Sequence, residues 1–236
     1  MIIIVGGGIA GLSLGWQLIE KGEKVTVIEQ HRVGSGASGV ASAYLEPRLG
    51  SGAMRELEWA AIKLWPQFVA DIEQASGTAI DYRCNGQLRL AFGESIDTIK
   101  HDAEIRQAQG WNIQWLEGEK LRKHAPHLSP NIIAATFLPD VHWLDGCLLC
   151  RALATAITNR GGTIIEGEKI TKIRHQAGQV TGVKTRHNDF SATRIVLSSA
   201  MDTNDIEGVP PELPKCRPVK GAILSLAMDR QHPLTS

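Results

Sequence analysis

A glycine-rich turn between a short strand and a helix constrains the fold of this chain more than any other feature. Residues 2–5 are four consecutive β-branched side chains, which is typical of a buried strand in a parallel sheet. Residues 9–19 then keep apolar side chains at helical spacing until Lys21 and Gly22 end the pattern. Residues 24–29 alternate as a second strand. Because strand, helix and strand follow one another within about 30 residues, the chain is predicted to begin with a βαβ unit.

The turn inside this unit carries glycines at the spacing that lets backbone surround a pyrophosphate. Gly6 permits the tight turn, Gly8 lets the backbone approach the pyrophosphate, and Gly11 lets the helix pack closely on the strand. The helix N-terminus then faces the anion. Glu29 ends the second strand, where its carboxylate can accept hydrogen bonds from adenosine ribose hydroxyls and disfavours the 2′-phosphate of NADP. The pattern predicts a dinucleotide site.

The rest of the chain adds antiparallel strands and further helices. Residues 34–52 are rich in Gly, Ala and Ser, and they are predicted to form a long loop. An amphipathic helix is predicted over residues 57–72. Hairpins are predicted at Asn85-Gly86 and at Ala177-Gly178, and a last strand over residues 219–226. The sequence therefore predicts an α/β fold in which antiparallel strands are inserted into a parallel framework.

Composition excludes several classes of partner. Lys plus Arg and Asp plus Glu each number 25, so no net charge would attract nucleic acid. No apolar run reaches the roughly 18 residues of a membrane span, and no export signal follows Met1, so a cytoplasmic location is expected. Cys147 and Cys150 lie in a predicted buried helix without a second pair to complete a zinc site, so no metal is expected. His142 has no second catalytic group at a meaningful spacing, and it is interpreted as structural.

These features resemble the D-amino-acid oxidase superfamily of FAD-dependent oxidoreductases, most closely its glycine oxidase branch of thiamine biosynthesis. The resemblance rests on the glycine turn, on Gly15 and Gly22, and on the small-residue segment 36–43. It implies an FAD-binding Rossmann domain of the glutathione-reductase-like type with an inserted antiparallel-sheet substrate domain. It also implies noncovalent FAD, since residues 37–44 contain no His or Cys. Contacts with FAD are implied for Gly6, Gly8, Ile9, Ala10, Gly11, Glu29, Gln30, Ala37, Ser38, Ser42, Ala43, Tyr44 and, through its backbone, Ile170.

The resemblance also implies a division into domains. Residues 1–78 and 140–208 are expected to form the FAD-binding domain, and residues 79–139 and 209–236 the substrate domain. Members of the family continue for roughly another domain's worth of chain, which supplies the arginine and tyrosine that contact substrate. The substrate domain is therefore expected to be incomplete at its C-terminus, and no catalytic residue is nominated.

The activity implied by the resemblance is oxidative deamination of a small amine or amino acid, such as glycine, sarcosine or a D-amino acid. Hydride would pass from the α-carbon to flavin N5, and oxygen or another acceptor would reoxidise the flavin. Two alternatives stay open: an FAD-binding remnant without catalysis, and one half of a two-chain flavoprotein. A homo-oligomer also stays open. Ala200 departs from the family pattern, because a glycine usually stands at this position close to the cofactor.

Overall fold

The computed structural model describes residues 1–224, apart from the side chain of Glu94. The chain folds into two compact units. The first unit comprises Met1–Ala43, Gln67–Asp81 and Asp145–Ile223. The second comprises Tyr44–Pro66, Tyr82–Leu144 and, among the described residues, Leu224.

The described residues form six α-helices and thirteen strands. The helices are α1 (Ile9–Glu20), α2 (Ala37–Val40), α3 (Ala53–Ser76), α4 (Ile96–Ala108), α5 (Gly118–His124) and α6 (Gly146–Asn159). The strands are β1 (Ile2–Val5), β2 (Val25–Ile28), β3 (Tyr44–Leu45), β4 (Tyr82–Arg83), β5 (Gln87–Ala91), β6 (Gln114–Glu117), β7 (Ala134–Leu138), β8 (His142–Leu144), β9 (Thr163–Ile165), β10 (Ile170–Gln176), β11 (Gln179–Thr185), β12 (Asp189–Ser191) and β13 (Arg194–Leu197). Short 3-10 helices cover Gly93–Ser95 and Ala200–Asp205. None of the helices within residues 1–224 combines the length and the apolar character needed to cross a membrane.

The first unit is built on a parallel sheet with the strand order β13-β1-β2-β9. Ile2 pairs with Val25 on one side and with Arg194 on the other, so β1 is a central strand. All four residues of β1 and of β2 are buried, as expected for strands whose two faces are both covered. The predicted βαβ unit is confirmed. A second, antiparallel sheet of order β10-β11-β12 completes the unit.

One of the two predicted hairpins is confirmed and the other is wrong. Strands β10 and β11 pair antiparallel around Ala177 and Gly178, whose φ angles of 49° and 75° are those of a type I′ turn. Strands β4 and β5 flank Asn85-Gly86 but do not pair with each other, because β4 pairs with β8 and β5 with β7. Gly86 instead turns the chain from one sheet to the next. A Cβ there would lie 2.5 Å from the Phe137 ring.

The second unit contains two antiparallel sheets, with the orders β3-β8-β4 and β5-β7-β6. Leu116, Leu121, Ile132 and Ala135 form a buried cluster on one face of the latter sheet. The antiparallel insertion into an α/β fold is confirmed.

The compact units and the predicted domains divide the chain differently at residues 44–66 and 209–223, and by a few positions elsewhere. The assignment of two functional domains stays a prediction. Residues 219–224 form no strand in the structure, and the last two residues of the strand predicted over 219–226 lie outside the described residues.

Candidate functional site

A cleft of about 330 Å³ opens at the carboxyl ends of β1, β2 and β13 in the first unit. Ligands of open parallel sheets bind at this edge, because the loops that leave the strands there can form a crevice. Seven of the thirteen residues predicted to contact cofactor line the cleft: Gly6, Gly8, Glu29, Gln30, Ala37, Ser38 and Ile170.

The three glycines of the turn have different physical roles. Gly6 has a φ of 106°, and a Cβ at this position would lie 2.6 Å from the carbonyl oxygen of Ser198. A Cβ on Gly11 would lie 2.2 Å from the carbonyl oxygen of Gly6. Backbone packing therefore requires both glycines. Within the part of the chain that the structure describes, a Cβ on Gly8 would meet only the Ser38 hydroxyl oxygen, at 3.1 Å, so the space beside Gly8 belongs to the cleft.

Glu29 joins the glycine turn to the end of β2. Its Oε2 accepts the backbone N–H of Gly7 at 2.8 Å, and its Oε1 accepts the N–H of His31 at 2.9 Å. Each carboxylate oxygen has a second lone-pair direction, so the group keeps capacity for a further donor from a ligand. The carboxylate is thus held in position at the cleft by two backbone donors.

The small-residue segment packs against the backbone of the glycine turn. Gly34 donates its N–H to the carbonyl of Gly7 at 2.9 Å, and the Ser38 Oγ accepts the N–H of Ile9 at 3.0 Å. A Cβ on Gly39 would lie 2.1 Å from the carbonyl oxygen of Gly34. Bulky side chains are excluded here by the fold of the loop itself, in addition to any requirement from a ligand.

Six predicted contact residues do not line this cleft. Ile9, Ala10 and Gly11 lie in the first turn of α1, where the N-terminal N–H groups of a helix lack intrahelical acceptors. Ser42 and Ala43 follow α2 in the first unit, and Tyr44 begins β3 in the second unit. Their contacts with a cofactor stay predictions.

The cleft also contains residues outside the predicted contact set, among them Lys169 and the segment 198–202, of which the family resemblance placed position 200 alone close to the cofactor. The sequence signal that could have identified segment 198–202 is the apolar strand β13. The residues that follow a parallel strand lie at the same sheet edge as Gly6. Ser198 Oγ donates to the carbonyls of Val5 and Gly6 at 2.8 and 3.1 Å. Ala200 keeps the backbone conformation for which a glycine is favoured, with a φ of 48°.

The CxxC pair lies at the start of α6, beneath the small-residue loop. Asp145 caps this helix by accepting the N–H groups of Cys147 and Leu148, each at 2.8 Å. Cys150 is buried, and burial raises the pKa of its thiol to about 11. A Cβ on Gly34 would lie 2.8 Å from the Cβ of Cys150, so the cysteine side chain packs directly against this glycine. Cys150 is a buried core residue of the helix, as predicted, whereas Cys147 is partly exposed.

These features define the class of protein. A parallel sheet with a glycine turn, an acid at the end of β2 and a helix N-terminus at the cleft is a Rossmann dinucleotide-binding arrangement. The sequence matches the DAO family of FAD-dependent oxidoreductases over residues 1–235, and the chain belongs to this family. FAD is the cofactor of the family.

Relatives of this chain include glycine oxidases and bifunctional ThiO/ThiG proteins. The chain is 28% identical to the glycine oxidase of Bacillus licheniformis over 232 residues, which cover 96% of the chain and 61% of the relative. It is 25% identical to the bifunctional protein ThiO/ThiG of a Nostoc strain, covering 98% of the chain and 35% of the relative. The chain therefore spans less than two thirds of the length of these proteins.

Solved structures show the same fold. The crystal structure of glycine oxidase from Bacillus cereus superposes with a TM-score of 0.81 at 27% identity, over 87% of this chain and 56% of that one. L-proline dehydrogenase from P. horikoshii has a TM-score of 0.70 at 24% identity, over 87% of this chain and 54% of that one, which shows a shared fold alone.

The second unit contains a hydrogen-bonded tyrosine–histidine pair that was not predicted from the sequence, because the two residues are far apart along the chain. Tyr82 Oη lies 2.7 Å from His142 Nδ1. Burial raises the pKa of Tyr82 to about 12, so the phenol keeps its proton and can donate a hydrogen bond to the neutral imidazole. Burial also lowers the pKa of His142 below 6.5, against the opposing charge of Asp140.

The lowered pKa of His142 predicts a loss of stability in mild acid. The His142 imidazole binds a proton more tightly in the unfolded chain than in the folded one. The stability that the neutral imidazole contributes is therefore complete above pH 6.5 and is lost as the pH falls below that value. We expect His142→Gln to lose less unfolding free energy than the wild type between pH 7.5 and pH 5.5, measured by urea titration. His101→Gln, at an exposed histidine, is the control. Equal losses in the wild type and His142→Gln would contradict the assignment.

Proposed function

We propose that the protein binds FAD noncovalently in the cleft of the first unit and takes part in the oxidation of a small amine or amino acid. The observation that carries the proposal is the cleft itself, in which the open backbone at Gly8 adjoins the carboxylate of Glu29 and the N-terminus of α1. A pyrophosphate needs backbone N–H donors, and a ribose needs a carboxylate acceptor. When bound, FAD supplies a hydride acceptor for the α-carbon of the substrate.

The chain's own residues would bind and orient the cofactor. Gly8 and the first turn of α1 would hold the pyrophosphate, and Glu29 would accept the ribose hydroxyls. Ile170, which is buried at the cleft, would contact the adenine through its backbone. We also propose contacts for Ser42, Ala43 and Tyr44 toward the flavin, from the resemblance to the family.

The substrate class follows from the names of the relatives. Two relatives are a glycine oxidase and a 4-methylaminobutanoate oxidase from Paenarthrobacter nicotinovorans, the latter 27% identical over 207 residues. Both named compounds carry an amine and a carboxylate. We propose an aminocarboxylate substrate for the whole protein, with glycine, sarcosine and D-amino acids as the candidates.

The cofactor is tested by acid precipitation of the FAD-loaded protein. We expect all flavin absorbance in the supernatant, because no covalent bond is proposed between the chain and the cofactor. Flavin that stays with the pellet would contradict noncovalent binding. A protein that neither carries nor takes up FAD would contradict the cofactor site.

The reaction is tested on the whole protein, loaded with FAD and mixed anaerobically with glycine, sarcosine, D-alanine and 4-methylaminobutanoate. We expect at least one of these amines to reduce the flavin and so remove the absorbance of its oxidised form. Without oxygen the reduced flavin is not reoxidised, so the loss persists. Glycolate, which replaces the amine of glycine by a hydroxyl, is the control. Reduction by glycolate with none by the amines would place the protein in another class of oxidoreductase.

A further inference from the structure

We propose that Asp202 is a positioning residue for the adenosine end of the cofactor and acts through Gln30. The proposal rests on the proposed function, because it concerns the same cleft. Asp202 fixes the side-chain amide of Gln30 so that its carbonyl oxygen is left to the ligand as an acceptor. Asp202 lies in the segment where the chain departs from the family pattern, two residues after Ala200.

The contact between the two side chains is short and directional. Gln30 Nε2 donates to Asp202 Oδ2 at 2.7 Å, and both residues line the cleft. An ionised carboxylate accepts hydrogen bonds and donates none. If the Gln30 amide turned over, its oxygen would face the carboxylate oxygen and the charge-assisted bond would be lost. Asp202 therefore determines which end of the amide remains free of this contact.

The 3-10 helix that carries Asp202 is held by its own short-range bonds. The N–H of Asp202 donates to the carbonyl of Ser199 at 3.1 Å, and the hydroxyls of Ser199 and Thr203 lie 2.8 Å apart. The left-handed conformation of Ala200 costs about 1 kcal/mol or more for a residue with a Cβ. It persists because the surrounding contacts hold the turn.

The turn is also tied to the glycine motif. Ser198 donates to the carbonyls of Val5 and Gly6, so the segment before Asp202 cannot shift without disturbing the motif. A preorganised side chain spends less conformational entropy when it binds a ligand. The cleft thus presents Gln30 in one orientation before a ligand arrives.

The chemistry of this end of the cleft favours a ligand that donates hydrogen bonds. Glu29 accepts hydrogen bonds, and the amide oxygen left by the Gln30–Asp202 contact accepts them as well. Adenosine offers donors that match, namely its ribose hydroxyls and its exocyclic amine. A phosphate at this end would meet the carboxylates of Glu29 and Asp202, and like charges repel. The two carboxylates therefore favour an adenosine whose ribose carries no 2′-phosphate, as in FAD.

The test measures binding of FAD and, by competition, of ADP to the full chain and its variants. We expect Asp202→Asn and Asp202→Ala to weaken FAD binding by up to about tenfold, since neither variant holds the Gln30 amide in one orientation: alanine removes the acceptor, and an asparagine amide can both accept from and donate to Gln30. The same factor is expected for ADP, which contains the adenosine but no flavin. Asp202→Ala added to Gln30→Ala should cause no further loss, because Asp202 acts only through that side chain.

The matched control is Asp205→Asn, which removes the same charge from the same 3-10 helix at an exposed residue that does not line the cleft. We expect unchanged FAD affinity for this variant. Urea unfolding of every variant identifies any that is misfolded, and Asp202→Asn keeps the size of the side chain if Asp202→Ala is unstable.

The proposal would be overturned by unchanged affinity in Asp202→Asn, by an equal loss in Asp205→Asn, or by additive losses in the double variant with Gln30→Ala. A loss for FAD without a loss for ADP would place the effect away from the adenosine and would also overturn it. Failure of the wild type to bind FAD would instead contradict the proposed function, so the two failures are distinguishable.

Discussion

Gly8→Val is expected to abolish FAD binding while the protein stays folded. A branched side chain at this position would occupy the open space where backbone is proposed to meet the pyrophosphate. The folded chain has room for the valine, because a Cβ on Gly8 meets, of all the described residues, only the Ser38 hydroxyl, at 3.1 Å. We expect FAD affinity to fall at least about a hundredfold, which corresponds to losing several phosphate hydrogen bonds. Fluorescence titration of FAD measures it, and thermal unfolding should shift by only a few degrees.

Gly11→Val is the matched comparison in the same turn. Its Cβ would overlap the carbonyl oxygen of Gly6 at 2.2 Å and the Ser198 hydroxyl at 2.5 Å, so the backbone itself must move. We expect this variant to lose folding stability together with FAD binding. Unchanged FAD affinity in Gly8→Val would show that the glycine spacing is an incidental turn.

Arg106→Leu is expected to lower the free energy of unfolding by about 3 kcal/mol, because it breaks a buried ion network in the second unit. Arg106 donates from Nη1 to Glu46 and from Nε to Asp102, both at 2.7 Å, and its side chain is 7% exposed. Its guanidinium also lies 5.0 Å from the centre of the Trp111 ring. Removing it leaves two carboxylates that, among residues 1–224, only Arg89 still pairs, at 2.6 and 3.2 Å. The partial exposure of these carboxylates keeps the cost near the lower end for buried pairs.

Urea unfolding measures this loss, and a melting temperature about 10 °C lower should accompany it. Arg48→Leu is the control, since Arg48 pairs with Glu58 at 2.7 Å while its own side chain is 73% exposed. Exposed pairs contribute about 1 kcal/mol or less. If both variants lost the same stability, the network would contribute no more than a surface ion pair.

The parts of this protein that were predictable depend on interactions close along the chain. The sequence was sufficient to predict strand β1, helix α1 and strand β2, because side-chain periodicity and glycine spacing are local properties. The hairpin at Ala177-Gly178 was predictable because a two-residue turn containing glycine, which adopts positive φ without steric cost, lies between two segments of strand-forming residues.

The remaining features required the tertiary structure, because strand pairing and side-chain partners depend on contacts distant in sequence. Asn85-Gly86 has the local chemistry of a hairpin, yet β4 and β5 find better partners in β8 and β7, so they enter different sheets.

The candidate site shows the same division. The sequence by itself determined the glycine turn and the acid at Glu29, since their spacing within one βαβ unit places them at a single sheet edge. Only the tertiary structure decided that β13 brings Ser198 and Asp202 to that edge and that Asp202 meets Gln30, 172 positions away. No periodicity or composition encodes such a pair, because its geometry exists only once the sheet has assembled.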